Sequence, residues 1–211
     1  MTPRPRFSNE DGVFILIKNM KHDHYFYNCS KEYIDAIDST LYGEIAEVIS
    51  RLPKRKTQTE INNDLFWLLT SRGWSFDTLS GVSGTPPPEI KVADVSKPEM
   101  KQKNDRSLCR TSTTLDASWH CDFAKSYDSK LVHIEAQFGK VESMFKDFCG
   151  FRIARFEKRL TLGIEIVLCE PSKYFSHRRK SIGGMAYFDI AKNTLPATGL
   201  ECPIWLIGIK E

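Results

Sequence analysis

Hydrophobic positions along the chain change their spacing in a way that lays out helices and strands in turn. Between Glu32 and Leu52, the residues Tyr33, Ile37, Leu41, Ile45, Val48, Ile49 and Leu52 recur at three- and four-residue steps. That spacing predicts one helix with a single apolar stripe, ended by Pro53. A second helix is predicted from about Thr59 to Arg72, with Thr57 or Thr59 as its N-cap and Gly73 as its stop. Val13–Lys18 (VFILIK) reads as a short apolar strand behind a polar end, residues 1–12, that is expected to be mobile. Further on, strands are expected at 117–124 and 130–138, then a helix at 140–160. A buried strand Leu162–Cys169 closes at Pro171, a helix runs from about Met185 to Asn193, and Pro203–Ile209 is a last buried strand. This order predicts the α/β class, a central mixed β-sheet flanked by helices.

Two features modify this outline. In the helix at 140–160, Val141, Phe145, Cys149, Ile153, Phe156 and Leu160 form one stripe, and Met144, Phe148 and Phe151 form an adjacent one. So wide an apolar face predicts a central core helix, ahead of the other reading in which part of it is a subunit interface. Residues 80–88 (SGVSGTPPP) exclude regular structure, and charges dominate up to Arg106. The stretch 80–110 is therefore expected to be a long functional loop or an insertion.

The chain has 211 residues, 41% of them hydrophobic, which suits a single domain with one core. Its net charge of +3 does not by itself mark a nucleic-acid binder, although a protein that uses one basic face needs no more. The six cysteines form no C-x-x-C pair and follow no signal peptide, so they are expected to be reduced in a cytoplasmic protein. His120 and Cys121 are adjacent, and neighbours on a strand face opposite ways, which makes them a poor zinc pair. No run approaches the length of a membrane span.

The chemistry concentrates at 131–140. Val132, Ile134, Ala136 and Phe138 alternate with Leu131, His133, Glu135 and Gln137, so an acid and an amide share one strand face. Asp122 lies on the preceding segment. Two carboxylates converging from neighbouring strands form a hard-cation site of the kind Mg²⁺ prefers. The strand runs into Gly139-Lys140 at a helix start, where backbone N–H groups and a cation favour phosphate. Asp128, at the tip of the hairpin, is a rival first ligand, but Asp122 has the strand context. His133 and His120 read as hydrogen-bonded structural residues rather than proton shuttles. The loop His177-Arg178-Arg179-Lys180-Ser181 is a candidate for phosphate and base contacts, and Lys54-Arg55-Lys56 is a weaker one.

The Asp122 … Glu135-Ala136-Gln137-Phe138-Gly139-Lys140 arrangement resembles the Glu-x-Gln variant of the PD-(D/E)XK motif, found in type II restriction endonucleases of the BglII/BstYI-like group. Leu162–Ile166, Pro203–Ile209 and the helix from Ile61 to Trp74 match that group in pattern and order. The interval from Asp122 to Glu135 is longer than in the group, and residues 75–115 match poorly. The resemblance implies Mg²⁺-dependent hydrolysis of double-stranded DNA by a homodimer at a short palindrome. It implies that Asp122, Glu135 and the Ala136 carbonyl bind the metal and that Gln137 orients the attacking water. It also implies that Lys140 contacts a phosphate or base edge and makes His177–Ser181 the first choice for DNA contact. Glu44 is a weaker candidate for a metal-organising carboxylate.

Overall fold

A computed structural model describes residues 20–78, 82–92, 97–115, 119–176 and 182–211. Its centre is a six-stranded sheet in the order β1-β6-β5-β4-β3-β2. The strands are β1 (Lys21–Tyr27), β2 (Ser75–Phe76), β3 (Phe123–Tyr127), β4 (Lys130–Ala136), β5 (Leu160–Leu168) and β6 (Ile204–Lys210). The middle trio β4, β5 and β6 run parallel, while β1, β3 and β2 add antiparallel margins, so the sheet is mixed as expected. Buried on both faces, β5 and β6 are almost wholly apolar.

One face is covered by α1 (Lys31–Ile37), α2 (Leu41–Ser50) and α3 (Gln58–Thr70), which pack Ile34, Ile45, Leu65 and Trp67 against Val132, Ile134, Ile164 and Ile207. After α4 (Lys97–Lys103), a short α6 (Pro171–Tyr174) beyond β5 adds Tyr174 to that same core, and the other face carries α5 (Val141–Phe156) and α7 (Phe188–Ala197). There Met144, Phe148, Phe151, Ala191 and Leu195 meet Val167, Ile204 and Leu206. Gly163 on β5 lets α5 close: a Cβ there would lie 2.9 Å from Cγ of Phe151.

The structure departs from the sequence expectations at identifiable places. The single helix over 32–52 is two, because Asp38 turns extended and its carboxylate accepts from the Thr40 backbone and hydroxyl at 2.8 and 2.5 Å. Such a side chain competes with the helix for its own backbone. The α3 expectation holds, with Thr57 and Glu60 forming a capping box and Gly73 at φ +81° behind it. Val13–Lys18 lies outside the described residues, while the polar-looking KHDHYFY segment is the edge strand β1. The region 80–110 holds the helix α4, anchored by buried Met100. Strand β3 begins at Phe123 rather than 117, so Asp122 stands just ahead of the strand. The helix at 188–197 starts later than expected, after a turn at Gly183-Gly184.

The stripe on α5 is reversed. Met144, Phe148 and Phe151 are buried, but Phe145 is 43% and Phe156 87% exposed, and Cys149 faces solvent. The core-helix expectation therefore holds only for the narrower stripe. Among the described residues no helix is long and apolar enough to cross a membrane.

Candidate metal and nucleic-acid site

The antiparallel register Phe123↔Ile134 brings the residue before β3 beside the end of β4. Asp122 and Glu135 meet there. The backbone N–H of Asp122 donates to Glu135 Oε2 at 3.2 Å, and the N–H of Ala136 donates to Asp122 Oδ2 at 2.9 Å. Each acid is thus tied to the other's segment. Asp128 sits instead in the left-handed turn at the far end of the hairpin, at φ +55°, away from Glu135.

Two further acids, which the sequence reading missed, face the same region. Glu165 on β5 is the register partner of Glu135 on β4. Asp147 comes from α5, where it is 8% exposed, and accepts a hydrogen bond from Gln137 Nε2 at 2.8 Å. The other end of the Gln137 amide, Oε1, accepts from Gly139 N–H at 2.8 Å. A Cβ on residue 139 would come within 2.8 Å of that same oxygen, so a larger residue there would shift the Gln137 amide. Gln137 is therefore fixed at both ends, with one amide hydrogen unspent among the described residues.

The electrostatics follow from this crowding. The Asp122 surface opens to solvent on one side, yet the surrounding protein pushes its carboxyl upward, against the pull of the Ala136 N–H, and Asp77 adds to the rise. Glu135 is 7% exposed, and its carboxyl is raised well above the ordinary range by burial, then by the charges of Asp122 and Asp147. Asp147 is pushed up to about 6, chiefly by burial. Glu165 is raised well above the usual value by burial and then by Asp147, Glu135 and Asp122. Lys146 opposes the rise at Asp122, Glu135 and Asp147 but does not cancel it.

This is a donor set with excess negative charge, made of hard oxygens, and it fits a divalent cation such as Mg²⁺. Asp122, Glu135 and the Ala136 carbonyl are the residues available to hold it. Among the described residues no three acidic, histidine or cysteine side chains are already closed around one point.

A cleft of about 80 Å³ opens onto Asp122 and Ala136 and is lined across from them by Asn62 and Phe66 of α3, with Val82 and Thr78. Asn62 had no sequence signal beyond its place on a polar helix start. Lys140 is exposed at the N-cap of α5. His177–Ser181 lies outside the described residues, but the segment that follows it is zipped beside Lys140: Val141 N–H donates to Gly184 O at 2.9 Å and Ala186 N–H to Gly139 O at 2.8 Å.

Other candidates are spent elsewhere. Glu44 accepts from Trp74 Nε1 at 2.6 Å and pairs with Lys125 at 3.0 Å, over the α1–α3 face, so it is a structural ion pair and not part of this acid set. Arg55 makes a two-pronged bond to buried Asp64 at 2.5 and 2.9 Å, and Lys54 pairs with Glu211. His133 donates from Nε2 to the Leu108 carbonyl at 2.9 Å and is held neutral, its pKa lowered to about 4 by burial. His120 lies 3.7 Å from Asp77. All six cysteines are unpaired.

Comparison with known proteins gives one family. The family model described as restriction endonuclease BglII/BglIII matches residues 22–209, nearly the whole chain. No curated protein matches the chain at a comparable standard.

Proposed function

Because the chain belongs to the BglII/BglIII restriction endonuclease family and is thereby a DNA nuclease, we propose that it is a Mg²⁺-dependent type II enzyme. As a homodimer it cuts both strands of duplex DNA at a short palindrome, in the cytoplasm of a prokaryotic cell. The observation that carries this reading is the clamp between Asp122 and Glu135, of which Asp122 lines a cleft whose other side chains are neutral. When bound there, Mg²⁺ supplies Lewis acidity, activating water and offsetting the charge that builds on the phosphate.

The protein's own groups divide the remaining work. Asp122 and Glu135 would hold the ion, with the Ala136 carbonyl. Gln137, immobilised by Asp147 and Gly139, offers its free amide hydrogen to orient the attacking water. It brings no positive charge, so more of the electrostatic load falls on the metal. Asn62 lines the same cleft as Asp122 and can bond a phosphate oxygen without adding repulsion. Lys140 stands at the rim as a cation for a neighbouring phosphate.

The dimer reading is supported by the exposed Phe145, Cys149 and Phe156 along α5, an apolar strip beside the site. A two-fold pairing there matches a palindromic target. Phe156→Glu is expected to yield monomers in sedimentation analysis.

The test of function is digestion of phage DNA by the purified protein with Mg²⁺. Discrete fragments, abolished by a chelator, support the reading. A smear would indicate a nuclease without site preference, and intact DNA would refute catalysis.

A further inference from the structure

Glu165 sits in the middle of a largely apolar strand, Leu160–Leu168, and is fully buried at 0% exposure. Neither of its oxygens receives a hydrogen bond from any of the described residues. Leaving a carboxyl without a partner in the interior is costly, and natural chains rarely keep one unless it serves a purpose. Its position is specific. In the parallel register Glu135↔Glu165 it lies one strand over from a proposed metal ligand, a spacing of about 4.8 Å between backbones. Both side chains project toward α5, whose Asp147 is the third acid on that side and is tied to Gln137 at 2.8 Å. Gly163, two residues earlier on the same face, lets Phe151 seal the space from solvent.

Among the described residues nothing donates to this carboxyl, yet three other acids lie in the same region. A divalent cation at the Asp122–Glu135 mouth is the one species that would favour all of them at once. Through a dry interior a charge at this range still acts strongly. We propose that Glu165 is an inner, non-ligating carboxylate of the cation site, adding from behind Glu135 the charge that makes the cleft hold a divalent ion tightly. The proposal rests on the metal-nuclease reading above. Glu165 is a positioning residue, acting through Glu135 and the ion rather than on DNA.

The test is Mn²⁺ binding to the full-length protein without DNA, followed by electron paramagnetic resonance. Glu165→Gln keeps the shape and removes the charge, and is expected to weaken Mn²⁺ binding about 10–100-fold, the range of outer-sphere carboxylates at metal sites. Glu165→Leu is expected to weaken it equally while raising the urea midpoint of the metal-free protein, which separates loss of charge from loss of fold. A Glu165→Gln variant that binds Mn²⁺ as tightly as wild type would overturn the proposal. If that variant matches wild type and wild type cuts DNA, this inference alone fails. If wild type binds no Mn²⁺, the metal reading fails with it.

Discussion

Gly163→Ala should disturb stability and chemistry together, through one contact. The added Cβ would lie 2.9 Å from Cγ of Phe151 and 3.0 Å from both Cδ atoms. Carbon atoms in contact sit at roughly 3.5–4.0 Å, so α5 must retreat by about 0.6 Å. Phe151 is 1% exposed and packed inside the α5–α7 core, so the ring cannot swing out to solvent without leaving that core. Overpacking of this kind costs about 1–3 kcal/mol. Asp147 lies one turn earlier on the same helix face, so the retreat also stretches its 2.8 Å bond from Gln137. At roughly 3.4 Å that bond is largely lost, and Gln137 is no longer held. A displacement of this size can lower the rate by up to about 100-fold. Urea melts of the metal-free protein and single-turnover cleavage measure the two effects. Adding Phe151→Leu makes room and should recover most of both, less about 1 kcal/mol for the smaller side chain. A Gly163→Ala protein with wild-type midpoint and rate would refute the reasoning, as would a double variant that recovers neither.

Two further expectations concern the scaffold. Arg55→Met leaves Asp64, which is 0% exposed, without its two-pronged partner. The loss should be about 3–5 kcal/mol in urea melts, and Arg55→Met with Asp64→Leu should regain most of it. Second, His24 accepts a hydrogen bond from Trp205 Nε1 at 3.0 Å, and its pKa is lowered from 6.5 to about 4 by burial and by His22. Between those values the unfolded chain takes up the proton more readily, so stability falls as pH drops from about 6.5 to 4 and levels off below. The contribution is about 1–3 kcal/mol for a partly buried group. His24→Gln, whose amide oxygen can still accept from Trp205, should flatten that limb; an unchanged profile would contradict the assignment.

The parts of this fold that were legible in the sequence are those where local pattern and burial agree. The apolar run of β5 and the stripe of α3 with its Thr57 cap are of this kind. So is the alternation of β4 that puts Glu135 beside an apolar row. Three features were hidden for physical reasons. The break at Asp38-Ser39-Thr40 depends on side chain–backbone bonds that a hydrophobic pattern does not register. Strand β1 is an edge strand, so its polar residues do not forbid a ladder on one side. On α5 both stripes look alike in hydrophobicity, and only tertiary packing decides that Phe156 stays outside.

The acid set was half visible. Asp122 and Glu135 were found through strand context and spacing. Asp147 and Glu165 were passed over, although each left a signal: a carboxylate inside the buried stripe Met144–Phe148–Phe151, and a lone acid inside Leu-Gly-Ile-Glu-Ile-Val-Leu. A charge at an apolar position needs a reason, and searching for such positions would have brought both to notice.

The most direct measurement is a comparison of wild type with Glu135→Gln on one DNA substrate, reading binding in Ca²⁺ and cleavage in Mg²⁺. The account holds that this carboxylate grips the ion and not the DNA. Glu135→Gln should therefore cut at least about 1,000-fold more slowly, on the order of the several kcal/mol that metal assistance supplies, while binding DNA nearly as well as wild type. Cleavage at the wild-type rate by that variant would contradict it.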